Sequence, residues 1–406
     1  AGSINNNGAN GVFGNSALPV ILGASGQTGR LSIQNDGGLT TNKDFTLATG
    51  GTGEIRFGNV GTFQITNADR NLNLTGSIGG GGNFVKLGGA AVVLSGINNW
   101  GGTTTVSQGP LRLSNADALP GGIGATGGTS ALTINGTDAG TNGAVVELTS
   151  AGGNFLRGLG TGIDQFQIPG GISGFSANGS ARQVIVNNDP SFELVWGIPT
   201  FNPSVLQFGY QATANNVLTL QNKIDLAGAT RTISVYQSSG ALSNEIRTSS
   251  GTAGLTKTGA GTLILSGANT YNGATTIDNG TLTISNAAAF TSTSQIVLNG
   301  ASTRLEVSAA DSDLTKLVAG GGVPVGTFLK YSSTQTAAGP ANGPGTILGT
   351  VELNANNVNP DYTLDFGSGS KFLNLFSYTY ASPITLSGDA SIDASQNTRV
   401  FTLSSG

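Results

Sequence analysis

Residues 84–119 and 255–290 of this chain are two versions of one 36-residue text. They align without a gap at a constant offset of 171, with 15 of the 36 positions identical. Lys86/Lys257, Gly96/Gly267, Asn98/Asn269, Gly102/Gly273 and Asn115/Asn286 are among the identities, and many of the rest are apolar exchanges such as Val106 for Ile277 or Trp100 for Tyr271. Self-similarity of this kind limits the fold severely, because a repeated unit buries its apolar face by stacking on its own copies.

The correspondence runs on with slippage. Leu132-Thr-Ile-Asn-Gly136 answers Ile296-Val-Leu-Asn-Gly300, Val146-Glu-Leu148 answers Leu305-Glu-Val307, and an apolar-x-Phe-Gly tag recurs at Ile55–Gly58, Leu206–Gly209 and Leu364–Gly367. Asn15-Ser-Ala-Leu-Pro19 resembles Asn115–Pro120. The chain reads as somewhat over two copies of a unit of roughly 160–170 residues: a partial unit over 1–83, one over 84–254, and a partial one over 255–406.

Within each unit, short alternating segments such as Leu263-Ile-Leu265, Thr275-Thr-Ile277 and Thr281-Leu-Thr-Ile284 are separated by turns bearing Gly and Asn, including Asn272-Gly273 and Asn279-Gly280. Alternation over three to six residues is a strand signal, and Asn-Gly supplies positive φ at turns. Strands so short and numerous fit a solenoid, in which each stacks on its equivalent in the next coil about 4.8 Å away. With coils of roughly 20–25 residues, 1–406 reads as one continuous β-solenoid, an elongated rod of about 16–20 coils and some 80–95 Å.

Composition agrees and excludes. The 406 residues hold 66 Gly, more than twice the usual share, alongside abundant Thr, Ser, Asn, Val, Leu and Ile. The strict Gly-X-Y period of collagen is absent. With no Cys and no His, the chain can form no disulfide, no Ser-His-Asp triad, no Cys nucleophile and no thiolate- or imidazole-ligated metal site. Net charge is −4, with 17 basic residues scattered against 21 acidic ones, so a nucleic-acid partner is not expected. No stretch approaches the roughly 20 apolar residues of a membrane span, so membrane insertion is not expected either. No charged and apolar leader opens the sequence at Ala1, which reads as the start of a processed product or of a piece of something longer.

The run from Gly254 to Ile277, GLTKTGAGTLILSGANTYNGATTI, followed by Asn279-Gly-Thr-Leu282, strongly resembles the autotransporter-associated β-strand repeat, also called the passenger-associated transport repeat. Residues 84–113 look like a more diverged copy, with Leu87-Gly-Gly-Ala in place of the usual Lys-Thr-Gly-Ala-Gly run and Trp100 where Tyr is usual. The resemblance covers about 60–70 residues. It implies a right-handed parallel β-helix, secretion and a place at the bacterial cell surface, and does not imply an enzyme.

Four features invite a functional reading. Residues 150–210 depart from the repeat and gather Phe155, Phe166, Phe175, Phe192, Trp196, Phe201, Phe208 and Tyr210 with four prolines. Aromatic rings stack on sugar faces, so Trp196, Phe192 and Tyr210 are candidate glycan contacts; the plainer expectation is that larger coils need larger core side chains. Leu159-Gly-Thr-Gly-Ile-Asp-Gln-Phe166 comes close to one copy of a calcium-binding nonapeptide, making Asp164 a weak calcium candidate. Polysaccharide cleavage would need paired carboxylates, for which Asp311/Asp313 and Asp189/Glu193 are the near neighbours, although charges on a surface usually only solvate it. Lys86 and Lys257, at equivalent positions, read as surface-snorkelling turn residues.

The expectation is an extracellular structural and adhesive protein without cofactor, a segment or subunit of a surface fibre or filament; a carbohydrate-binding or polysaccharide-cleaving β-helix is the alternative. Both termini fall inside a repeat, and open coil edges recruit strands, so the expected partner is either more of the same chain or another copy stacked end to end.

Overall fold

The computed structural model describes residues 17–33, 38–57, 71–136, 143–210, 216–236, 238–290, 292–298 and 303–307, and beyond these only strands between Leu317 and Leu403. Asp311 and Asp313 lie outside the described residues. The chain divides into two compact units: residues 1–222 with 236–238, and residues 223–235 with 239–406. Both are all-β with parallel ladders, a parallel β-solenoid arrangement. Helical structure among the described residues is confined to two 3-10 turns, Val186–Asn188 and Ala287–Phe290, and none is long and apolar enough to cross a membrane.

In the first unit, Thr28–Ile33, Thr52–Phe57, Asn83–Leu87, Thr104–Val106, Leu132–Gly136 and Gln165–Ala177 pair successively in parallel. Side chains alternate faces along a strand, so register fixes columns. Ile55, Lys86, Val106 and Ile134 form an inward column, and Glu54, Val85, Thr105, Thr133 and Gln167 form the outward one beside it. A second ladder aligns Leu72, Val92, Leu111, Val146, Phe175 and Phe208, all buried. Each such side chain contributes on the order of 1.5–3 kcal/mol when fully buried. A third, three-stranded ladder pairs Val20–Leu22, Phe45–Leu47 and Ile78–Gly80.

Coil length varies. Phe84 pairs with Thr104, Thr104 with Leu132 and Leu132 with Phe166, steps of 20, 28 and 34 residues. The wider coils are filled by rings: Phe155 lies 5.0 Å from both Phe166 and Phe175, which are 5.7 Å apart.

The second unit is more regular. Arg231 pairs with Leu255, Leu255 with Thr275, Thr275 with Ile296 and Ile296 with Leu317, steps of 24, 20, 21 and 21. Ile233, Lys257 and Ile277 share an inward column, and Thr232, Thr256 and Thr276 an outward one. A parallel ladder through Gly280–Ile284, Thr303–Val307, Phe328–Tyr331, Thr350–Leu353, Lys371–Leu375 and Ala390–Asp393 continues beyond it.

Candidate functional site

The identical residues of the two repeats are inward. Alternation along Phe84-Val85-Lys86-Leu87 sends Phe84 and Lys86 to the same side, and both are fully buried. This corrects the expectation for Lys86 and Lys257: both lie in the interior. Lys86 Nζ donates to the carbonyls of Gly88, Ala90 (2.8 Å) and Gln108 (2.6 Å). Lys257 Nζ donates to those of Thr258 (3.0 Å), Gly259 (2.5 Å) and Asn279 (2.9 Å). An ammonium has three hydrogens, and three carbonyls receive them. Desolvation pushes Lys86 well below the ordinary lysine value and Lys257 down to about 7. Each lysine thus ties one turn to the next coil, at a cost that only full hydrogen bonding offsets.

A second shared element is a buried chain of hydroxyls. Trp100 Nε1 donates to Thr104 Oγ1 (3.0 Å) and Ser130 Oγ (3.2 Å), and Ser130 Oγ donates to the Gly102 carbonyl (2.6 Å). In the other repeat, Tyr271 Oη lies 2.6 Å from Thr275 Oγ1, Thr275 lies 3.2 Å from Thr293 Oγ1, and Thr293 donates to Gly273 O (2.6 Å). Trp-Thr-Ser and Tyr-Thr-Thr therefore build the same chain with different atoms. Asn98 and Asn269 bracket neighbouring coils in the same way, accepting from Ile78 N (2.7 Å) and Ile246 N (2.9 Å) and donating to Ala118 O and Ala289 O.

The aromatic region likewise turns inward. Trp196 is fully buried, its indole N–H donating to Pro203 O (2.8 Å), and its ring packs 5.6 Å from Phe201. Tyr210 is buried too, and Phe192 is half-buried. The plainer expectation therefore holds for Trp196 and Tyr210, whose rings fill the core of wide coils, and their candidacy as glycan contacts is corrected, since neither offers a face to a ligand.

Asp164 is half-buried in the field of Arg157. Among the described residues no three or more carboxylates gather to hold a metal ion, and a neighbouring guanidinium opposes a cation. Arg157 itself is fully buried and was not singled out from sequence. Its guanidinium donates to Gly122 O (2.9 Å), Ser130 O (2.6 Å) and Pro120 O (3.0 Å), binding the 120–130 loop, while burial lowers its pKa to about 10 against the pull of Asp164. The exposed Asp189 accepts from Ser191 N (2.9 Å) and Oγ (2.7 Å), and the side-chain bond holds its carboxyl below the usual range. That is a local turn motif.

The surface offers an open groove of about 510 Å³ in the second unit, lined by Lys223, Ser243, Glu245, Ser266, Thr270 and Asn286 among others. Lys223 Nζ lies 3.9 Å from Glu245 Oε2, with side chains 40% and 28% exposed, and Thr270 Oγ1 donates to Glu245 Oε1 (2.7 Å). Ser266 Oγ is 2.8 Å from Ser285 Oγ, and Asn286 Nδ2 donates to Ser266 O (2.9 Å). These residues come from successive coils, so no local motif announces them.

Residues 84–113 and 255–284 match the family model of the passenger-associated-transport-repeat. Over 384 residues, 86% of the chain, the sequence is 28% identical to the "Adhesin BmaC autotransporter" of Brucella suis biovar 1 (strain 1330). The chain spans 11% of that protein's length. No solved structure matches the chain. The chain is thus all-β and parallel-stranded, and two of its segments match the passenger-associated transport repeat.

Proposed function

We propose that this chain is a stretch of the exposed passenger of a bacterial surface adhesin, a structural and adhesive solenoid and not an enzyme. The observation that carries this reading is the 384-residue match to an adhesin autotransporter, which includes both repeats. The interior supports it: the polar groups that the repeats share are spent on holding coil to coil, which suits a stalk that presents a surface. Two measurements test it. Antibodies against the full chain should label intact cells, and beads coated with the chain should bind host cells or matrix above a coated control. Labelling only after lysis, or binding no better than the control, would sink the reading.

The finer reading is a fibre segment. Parallel ladders add strands by simple translation, and each further copy of the repeat, in the same chain or another, would extend the ladder in the same sense. Sedimentation of the chain at rising concentration checks this: growth of elongated species is expected, and a monomer throughout would count against end-to-end assembly.

A further inference from the structure

The two repeats serve as each other's control. Their inward lysines, asparagines and glycines are the same, yet one corner differs in chemistry. Asn98 and Asn269 accept from Ile78 N and Ile246 N, which makes those isoleucines equivalent. Phe45 pairs with Ile78 and Ile224 with Ile246, so Asp44 and Ser77 of the first unit correspond to Lys223 and Glu245 of the second. In the first unit the Asp44 carboxylate accepts from Ser77 N (2.7 Å) and Oγ (3.0 Å), and Ile97, the counterpart of Ala268 in the repeat alignment, is 65% exposed. In the second, Ala268 takes the place of Ile97 and Thr270 that of Asn99, and an open groove is lined by Lys223, Glu245 and Thr270, with Glu245 held by Thr270 (2.7 Å) and 3.9 Å from Lys223.

We propose that this groove binds a neutral, hydroxyl-rich saccharide chain; the inference rests on the adhesive reading and names its partner class. A sugar hydroxyl both donates and accepts, and the groove offers partners of both kinds: a carboxylate, an ammonium, the hydroxyls of Ser243, Ser266 and Thr270 and the amide of Asn286. Bonds to ionised groups are the stronger ones, so Lys223 and Glu245 anchor the chain. Their charges cancel 3.9 Å apart, which gives an anionic glycan no net attraction. The groove is shallow and has no aromatic floor, so affinity per groove is modest and adhesion gains from many copies.

The test is a printed array of neutral and of uronate- or sialate-bearing oligosaccharides probed with the full chain, followed by titration calorimetry on the neutral hits. Binding to neutral oligosaccharides is expected, weakened at least tenfold by Glu245→Ala and by Ser243→Trp, which fills the exposed rim, and unchanged by Ile97→Ala at the equivalent corner of the first repeat. Circular dichroism and the thermal midpoint establish that the variants fold. Binding confined to acidic glycans, binding to none, or an affinity in Glu245→Ala or Ser243→Trp equal to that of the unaltered chain overturns the proposal. Bead adhesion to cells is read separately: if it persists unchanged in both variants the groove proposal fails and the adhesive reading stands, whereas beads that never adhere tell against the adhesive reading itself.

Discussion

Gly109 leaves the space that Lys86 occupies: a Cβ placed on Gly109 would lie 2.7 Å from Lys86 Nζ, and the same 2.7 Å separates a Cβ on Gly280 from Lys257 Nζ. Both glycines have left-handed backbones, with φ of +65° and +69°. Backbone conformation and a buried ammonium therefore demand glycine independently at the same position. Gly109→Ala and Gly280→Ala should each destabilise their unit by about 2–3 kcal/mol, read as a lowered midpoint in chemical denaturation. The same Cβ atoms would lie 2.5 Å from Gly88 O and closer still to Gly259 O, so an unchanged midpoint would mean that neither the left-handed turn nor its packing against the preceding coil is as described.

The lysines also make stability depend on pH. Lys257 is lowered from 10.5 to about 7 in the folded chain, so between those values the unfolded chain holds a proton that the native one has shed. Stability therefore rises as pH climbs from about 7 and is flat, at its lower level, below it. Burial raises the pKa of Tyr271, which opposes the trend once an unfolded tyrosine ionises near pH 10. Thermal midpoints across pH 6–10 should show the rise, Lys257→Met should reduce it, and Lys86→Met with Lys257→Met should flatten it. A slope left intact in the double variant would assign the proton elsewhere.

Because Trp100 and Tyr271 open equivalent hydroxyl chains, exchange between them should be tolerated better than loss. Trp100→Tyr should fold with a smaller penalty than Trp100→Leu, which leaves Thr104 and Ser130 short of a donor. Tyr271→Phe should cost on the order of 1–2 kcal/mol for the same reason. Equal midpoints for Trp100→Tyr and Trp100→Leu would show that only ring volume matters.

Trp196 is a core residue, so Trp196→Ala should act through stability. A loss of about 3–5 kcal/mol is expected for a buried aromatic truncated to alanine, visible as early melting or proteolysis. Weakened saccharide binding with an unchanged melting curve would return the residue to a recognition role.

Arg157 closes the 120–130 loop by three carbonyl contacts from one planar fork. Arg157→Lys keeps the charge and loses the fork, so cleavage within 120–130 should accelerate under limited proteolysis. Unchanged cleavage there would show that the loop is held without it.

The sequence alone determined the strand alternation, the turns, and the repetition that makes each unit a parallel stack, because these follow from local periodicity and from the match between residues 84–119 and 255–290. Even the burial of Lys86 was written there: it shares parity with Phe84, and the assumption that charge belongs in water hid the signal. Tertiary structure alone decided which carbonyls would receive that charge, that Arg157 would be buried against the 120–130 loop, and that Lys223, Glu245 and Thr270 would meet in one groove. Those outcomes depend on coil length and on the register between coils, which bring together residues tens of positions apart and leave no trace in any local pattern.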